Sequence, residues 1–274
     1  MAKFVCNFIS YTLGRTVDIT VVLPTPTIPQ SLGMGEEPTF TVKDKYPVLY
    51  LLHGTGNNHA TWIGYTKAEL YAEEHEIALV CMSAENRDYV DNGDGDFMNF
   101  LEEELPDFVC GLFPISERRE DTYIAGLSMG GFGTLVHALR HPEHYGAFGA
   151  FSAGIGDVVC PKDIEHDFDP MQYKTIRPFP RGYRKDINPY YLAKDLYDSG
   201  KPFPKAYLCC GEKDGYLNAN KEFADLLASY GADVTWHSMA EYGHEWRFWE
   251  SELERFLKWL PRSDPYGKKG TRRI

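Results

Sequence analysis

The stretch Ala125-Gly126-Leu127-Ser128-Met129-Gly130-Gly131-Phe132-Gly133 decides how this chain is read. It has the form Gly-x-Ser-x-Gly, and its flanks match what that form requires. Asp121-Thr122-Tyr123-Ile124-Ala125 reads as a buried strand before it, and Thr134 to Arg140 as a helix after it, packed on its Leu135, Val136 and Leu139 side. Strand, sharp turn and helix in this order make a nucleophile elbow, in which the turn lifts a serine Oγ clear of the sheet. Gly126 and Gly130 leave room for the turn, while Gly131 and Gly133 let helix and strand backbones approach. Ser128 is therefore the candidate nucleophile.

A serine hydroxyl is a weak nucleophile at neutral pH, so a base and an acid that orients it should follow. The expected chain order is serine, carboxylate, histidine, with the last two on loops after late strands. Ala206-Tyr207-Leu208-Cys209-Cys210-Gly211 reads as a short strand and runs into Glu212-Lys213-Asp214-Gly215. Asp214 is the expected acid and Glu212 the runner-up. Val234 to Met239 is the next strand-like run, and Glu241-Tyr242-Gly243-His244-Glu245-Trp246 follows it, ahead of a helix through Leu257. His244 is the expected base, on a turn that Gly243 permits. His237 lies inside the strand pattern and reads as structural. His141 and His144 flank Pro142 at the end of the elbow helix, where a polarisable positive group suits the last carbonyls. His59 and His75 have no partner pattern.

An oxyanion needs donors as well. Tyr46-Pro47-Val48-Leu49-Tyr50-Leu51-Leu52 is a continuous apolar run, the mark of a strand buried on both faces, and it ends in His53-Gly54-Thr55-Gly56-Asn57-Asn58. Such a loop at the carboxyl end of a central strand brings backbone N–H groups beside the elbow, so Thr55 and Met129 are the expected donors. The His53 ring is expected only to brace the loop.

The rest of the chain alternates strands and helices. Residues 4–11 and 16–23 suggest an opening hairpin about Gly14, with a surface loop from Pro24 to Pro38. Leu70 to His75 closes a short helix, Ile77 to Ser83 is a buried strand, and Phe97 to Leu112 is an amphipathic helix whose Glu102-Glu103-Glu104 run reads as a solvated face. A strand from Tyr145 to Ser152 and a helix from Lys221 to Tyr230 complete the pattern. The expected architecture is α/β, with a mainly parallel central sheet, helices on both faces and ligands bound at the strands' carboxyl ends. Residues 157–204, rich in aromatic side chains among prolines and charges, suggest a cap inserted over the pocket. Asp91 to Asp96 lacks the oxygen ligands and the glycine position of a calcium loop and reads as a turn.

With 274 residues, 43% of them hydrophobic, the chain can bury one large core, and a single domain over residues 1–274 is expected. The formal charge of −12 argues against nucleic acid or an anionic membrane surface as the partner. The basic residues Lys268, Lys269, Arg272 and Arg273, in the tail at about 261–274, read as solvated. The opening residues read as a strand rather than a signal peptide, and no apolar run is long enough to span a bilayer. The six cysteines show neither metal-ligand spacing nor a disulfide framework. Free thiols in a cytoplasmic chain are expected.

The chain resembles the esterase D group of α/β-hydrolases, in particular the tributyrin-esterase-type proteins related to carbohydrate esterase family one. The resemblance rests on Val48 to Trp62, Glu104-Leu105-Pro106, Ile124 to Gly133, Leu208 to Leu217 and Gly243 to Trp249, and it extends over most of residues 5–260. S-formylglutathione hydrolases and mycolyltransferases are more distant relatives. Carried over position by position, the resemblance implies Ser128 as nucleophile, His244 as base, Asp214 as its orienter and Thr55 with Met129 as oxyanion donors. It implies hydrolysis of short-chain or carbohydrate-linked acetyl or hydroxycinnamoyl esters through an acyl-enzyme. No cofactor and no metal is expected to take part. The alternatives are a thioesterase of the S-formylglutathione type and a catalytically silent binding protein. Trp62 and Trp246 are the expected substrate-contacting residues, and a homo-oligomer is compatible with the chain. Residues 157–204 are not diagnostic of the family.

Overall fold

The computed structural model describes residues 1–35, 37–91, 95–156, 184–272 and 274. Among these, eight strands form one sheet. The strands are β1 (Ala2–Ser10), β2 (Arg15–Leu23), β3 (Val48–Leu52), β4 (Ala78–Met82), β5 (Thr122–Leu127), β6 (Ala147–Phe151), β7 (Lys205–Gly211) and β8 (Val234–Met239), in the spatial order β1-β2-β4-β3-β5-β6-β7-β8. β1 and β2 pair antiparallel, β2 meets β4 antiparallel, and every pairing from β4 through β3 to β8 is parallel.

Parallel strands need crossover connections, and the helices that make them cover both faces. Described helices are α1 (Ile28–Ser31), α2 (Thr61–Tyr65), α3 (Ala68–Glu74), α4 (Phe97–Asn99), α5 (Leu105–Leu112), α6 (Met129–Arg140), α7 (Pro189–Ser199), α8 (Leu217–Ser229) and α9 (Trp246–Trp259). Because side chains alternate along a strand, Val48, Tyr50 and Leu52 of β3 join Phe100, Leu105, Phe132, Leu135 and Phe223 on one face. Leu49 and Leu51 join Trp62, Tyr71, Phe248, Leu253 and Phe256 on the other. Every residue of β3, β4 and β6 is buried, which explains why those segments are almost uniformly apolar.

Three expectations need correction. Phe97 to Leu112 is helical throughout, but one turn over Phe100–Glu104 takes the wider i→i+5 bonding of a π-helix between α4 and α5. Only Glu103 of its three glutamates is solvated: Glu102 and Glu104 are 8% and 3% exposed. Glu104 accepts hydrogen bonds from Ser10 Oγ, the Tyr11 and Thr12 N–H groups and the Thr12 hydroxyl, which pins the β1–β2 turn. Glu102 sits between His137 of α6 and His141, 2.8 and 3.1 Å away. Both carboxylates found buried donors, which a charge run does not reveal. The tail is not simply solvated either. Arg272 donates to the carbonyls of Glu73 and Thr25 and lies 3.3 Å from Glu76 Oε1, and its backbone N–H donates to the Glu74 carbonyl at 2.9 Å, so the end of α3 holds the tail.

Of the suggested cap, residues 157–183 lie outside the described residues. The described remainder carries α7, which packs beside α6 and places the Tyr190 ring edge-on to Phe223 at 5.0 Å. Residues 92–94 of the rejected calcium loop also lie outside the described residues.

Candidate active site

β5 ends at Leu127 and α6 begins at Met129, leaving Ser128 alone at the corner with φ 53° and ψ −113°. Positive φ in a residue with a Cβ is costly and persists only where the surroundings enforce it. Here the Ser128 N–H donates to the Phe151 carbonyl of β6 at 2.9 Å, and its own carbonyl accepts from Phe132 and Gly154. The turn also demands close approach of α6 to β3: a Cβ on Gly130 would lie 2.4 Å from the Leu52 oxygen. No other residue fits there.

The structure brings the three residues of the expected relay together. His244 Nε2 lies 3.0 Å from Ser128 Oγ, and His244 Nδ1 lies 2.8 Å from Asp214 Oδ2. His244 is about one-third exposed, whereas the Asp214 side chain is 1% exposed. Burial pushes the Asp214 carboxyl up, but hydrogen bonds from His244, the Tyr216 N–H and Ser152 outweigh it and hold the group below the usual carboxylate range. An ionised acceptor for the Nδ1 proton results. The Lys213 N–H donates to the Tyr242 carbonyl at 2.9 Å, so the loops carrying acid and histidine are tied to each other.

The runners-up are elsewhere. Glu212 accepts from Ser238 Oγ at 3.0 Å rather than from His244. His237 lies 2.9 Å from Glu252 Oε1, in keeping with its structural reading. His59 Nδ1 is bonded to Thr20 Oγ1, and burial, with Arg262 and Lys258 adding to it, lowers His75 to about 4.

The loop after β3 lies beside the elbow: a Cβ on Gly54 would come within 3.5 Å of Ser128 Cβ and collide with Leu127. Met129 opens α6, so its N–H has no intrahelical acceptor. His53 is 1% exposed and braces this loop, as expected of it. Its Nε2 accepts from the Ala84 N–H at 3.0 Å, so Nδ1 carries the proton and donates to the Gly54 carbonyl at 2.7 Å. Burial lowers its pKa to about 4, and the ring stays neutral near pH 7. Tyr89 adds a second brace, with its hydroxyl on the His53 carbonyl at 3.0 Å.

Trp62 and Trp246 are in contact, edge to face at 5.3 Å. Trp62, however, is 1% exposed and donates its Nε1–H to the Leu52 carbonyl, so it offers a substrate almost no surface. It buttresses Trp246 instead. Trp246 stands between Trp62, Trp249 and the exposed ring of Tyr65, and Trp249 in turn meets the His244 ring edge-on at 4.9 Å.

Sequence reasoning missed Ser152. It follows β6, is fully buried with φ 45°, and its Oγ accepts from Cys210 Sγ at 3.7 Å while hydrogen-bonded to Asp214. Asn220 of α8 bonds both the N–H and the carbonyl of the adjacent Ala153, at 2.9 and 2.8 Å, and so holds this segment in place. A serine after a strand carries no distinguishing signal in one sequence.

Fold and site together define an α/β-hydrolase, and the chain belongs to the Esterase family, whose sequence profile matches residues 10–260. It is a serine esterase. A curated relative, the acetyl esterase of Caldicellulosiruptor saccharolyticus, is 29% identical over 270 residues, covering 95% of this chain and 98% of the relative. Among solved structures, an S-formylglutathione hydrolase from Staphylococcus aureus superposes with a TM-score of 0.76 at 26% identity, over 94% of this chain and 98% of the other. A ferulic acid esterase gives 0.72 at 22% identity, over 94% and 97%, a likeness of fold.

Proposed function

We propose that Ser128, His244 and Asp214 form the catalytic triad and that short-chain carboxylic esters, acetyl esters of carbohydrates foremost, are the substrates. The observation that carries this is the unbroken chain Asp214 Oδ2, His244 Nδ1, His244 Nε2, Ser128 Oγ at 2.8 and 3.0 Å. His244 takes the Ser128 proton as Oγ attacks the ester carbonyl, and the oxyanion is held by the Thr55 and Met129 N–H groups. His244 then returns the proton to the departing alcohol. Water then attacks the acyl carbonyl, losing its proton to His244, and as the acyl–Oγ bond breaks His244 returns that proton to Ser128 Oγ and the acid leaves, while Asp214 fixes the imidazole tautomer and stabilises the imidazolium. Trp246 and Tyr65, linked to His244 through Trp249, supply an aromatic surface suited to an apolar group or a sugar face. None of these steps requires a metal or cofactor.

The acetyl esterase relative supports the acyl preference. A thioesterase of the S-formylglutathione type is the second reading, supported by the likeness to the staphylococcal hydrolase. Values of kcat/KM for acetyl, butyryl, feruloyl and formyl-thiol substrates separate the two. The acetyl ester should lead, and a formyl thioester ahead by tenfold or more would reverse the order. The triad is tested with p-nitrophenyl acetate: Ser128→Ala should remain folded and lose on the order of 10³-fold or more of kcat. Near-parental turnover would exclude Ser128 as nucleophile. The reading extends to a cytoplasmic enzyme, supported by free thiols at Cys6, Cys81, Cys110, Cys209 and Cys210, with no nucleic-acid partner and with room for a homo-oligomer. Among the described residues no helix is long and apolar enough to cross a membrane.

A further inference from the structure

α6 carries Ser128 at one end and a cluster of histidine and carboxylate at the other. The helix has 12 residues, so the two ends are roughly 18 Å apart at 1.5 Å per residue. Beyond Arg140 the chain runs His141-Pro142-Glu143-His144. One donor atom from each of His141, Glu143 and His144 lies within 4.8 Å of the other two. His141 Nδ1 and Glu143 Oε1 are already 3.3 Å apart. The edge of a tetrahedron with bonds of about 2.0–2.1 Å is about 3.4 Å, so this pair has the spacing of two ligands on one zinc ion. The remaining adjustment falls on His144 and on Glu143, whose side chain is half exposed.

The other nitrogen of His141 supplies an independent observation. Nε2 lies 3.1 Å from Oε2 of Glu102, a carboxylate that is itself buried and anchored on its other oxygen by His137. Imidazoles that bind metals almost always give their second N–H to a carboxylate or carbonyl, which fixes the tautomer and raises the basicity of the free nitrogen. In the zinc-bound form the proton stays on Nε2 toward Glu102 and the Nδ1 lone pair faces the ion; without the ion Nδ1 is at hydrogen-bond distance from Glu143 Oε1, a contact that the ion replaces.

Beside these residues a cavity of about 410 Å³ opens, with Glu102, Glu103, Asp107, Glu117, Glu143 and His144 among its lining. Five carboxylates draw a cation in, and the space admits water as a fourth ligand. Four cations oppose it, of which Lys45 is paired with Glu117 at 2.8 Å, away from His141. Arg119 also lines the cavity but is turned to the Pro142 carbonyl, Lys201 Nζ lies 3.7 Å from Glu143 Oε2, and Arg140 Nε lies 3.3 Å from His141 Nε2. Arg119 and Lys201 leave Nδ1 of His141 clear, while Arg140, exposed and also bonded to the Asp186 carbonyl at 3.2 Å, must release Nε2 for that nitrogen to donate to Glu102.

We propose that His141, Glu143 and His144 form a zinc site, backed by Glu102. Two imidazole nitrogens and one carboxylate oxygen suit Zn²⁺ rather than Mg²⁺ or Ca²⁺, which prefer all-oxygen shells. At the far end of α6 from Ser128, bound zinc stabilises the fold and takes no part in ester cleavage. It locks the turn after the elbow helix and, through Glu102, the π-turn before α5.

The test uses the full chain, stripped of metal by a chelator and then titrated with zinc chloride by calorimetry, with thermal melts alongside. One equivalent should bind with micromolar affinity, and a hundredfold excess over Kd should raise Tm by roughly 5 °C. Magnesium chloride should give neither signal. His144→Gln and Glu143→Gln alter side chains that no core packing depends on. Each should weaken zinc binding tenfold or more and abolish the Tm rise, with metal-free hydrolysis of p-nitrophenyl acetate unchanged. Absence of zinc binding, or equal binding by His144→Gln and the parent, would overturn the site. So would zinc binding that disappears in His244→Ala but persists in His144→Gln, because the ion would then sit in the Ser128 cleft.

Discussion

At Asp214 burial and hydrogen bonding pull in opposite directions, and hydrogen bonding wins. Burial alone would favour the protonated acid, which could not accept the His244 proton. Donors from Ser152, Tyr216 and His244 keep it ionised. Asp214→Asn should therefore cost on the order of 10³- to 10⁴-fold in kcat, while Glu212→Gln, whose partner is Ser238, should stay within a few-fold of the parent. Equal losses on p-nitrophenyl acetate would contradict the geometry of the relay. Ser152 acts one step behind. A hydrogen bond to a charged group is worth about 1.5–3 kcal/mol, and only the part that strengthens as the His244 imidazolium forms bears on the rate, so Ser152→Ala should lower kcat by up to roughly tenfold. KM should be unchanged, because Ser152 is fully buried and positions Asp214 without touching the substrate. A rise in KM with kcat intact would assign Ser152 a different role.

Among the elements, the π-turn at Phe100–Glu104 turns a run of three glutamates into two structural anchors. Glu104 holds the β1–β2 turn and Glu102 holds the end of α6. Burial pushes the Glu102 carboxyl up, yet the bonds from His137 and His141 bring it down to about 2. A carboxyl whose folded pKa lies below its unfolded value of about 4.3 contributes stability above that value, and the contribution is lost as pH falls toward 2. For a group this buried the contribution is on the order of 3 kcal/mol. Glu102→Gln should therefore lower the unfolding free energy by about that amount at pH 7 and by much less near pH 3. Denaturant melts at the two pH values check this, and an equal loss at both would show that packing rather than charge is responsible.

For the whole molecule, the parallel sheet gathers the ends of β3, β5, β6, β7 and β8, which is why five loops distant in sequence meet around Ser128. The same burial makes the fold sensitive to acid. His53 and His75 are held neutral down to about pH 4, whereas in the unfolded chain they protonate near 6.5. Their contribution is complete above pH 6.5 and falls as pH drops toward 4, by up to about 1.4 kcal/mol per pH unit for each histidine. His141 is raised, chiefly by its bond to Glu102, so its contribution is lost only as pH climbs above 6.5, outside this window. Urea melts at pH 7, 5.5 and 4.5 should show progressive destabilisation, and constant stability across that range would contradict buried neutral histidines. The residues Ser128, Asp214 and His244 were legible in the sequence because each sits where a strand ends, and strands buried on both faces betray themselves by short apolar runs between glycines and charges. The alternation of such runs with helical patterns likewise announced the parallel sheet. Glu102, Ser152 and the inward turn of Trp62 were not legible. Each owes its position to a partner dozens of residues away: His137 for Glu102, Asp214 for Ser152, and Trp246 for Trp62. Local pattern determined which segments became strands and which loops hold Ser128, Asp214 and His244, because backbone hydrogen bonding and side-chain alternation are local. Only the tertiary structure decided which polar groups are buried, because the cost of burying a charge is met by donors that folding alone brings within reach.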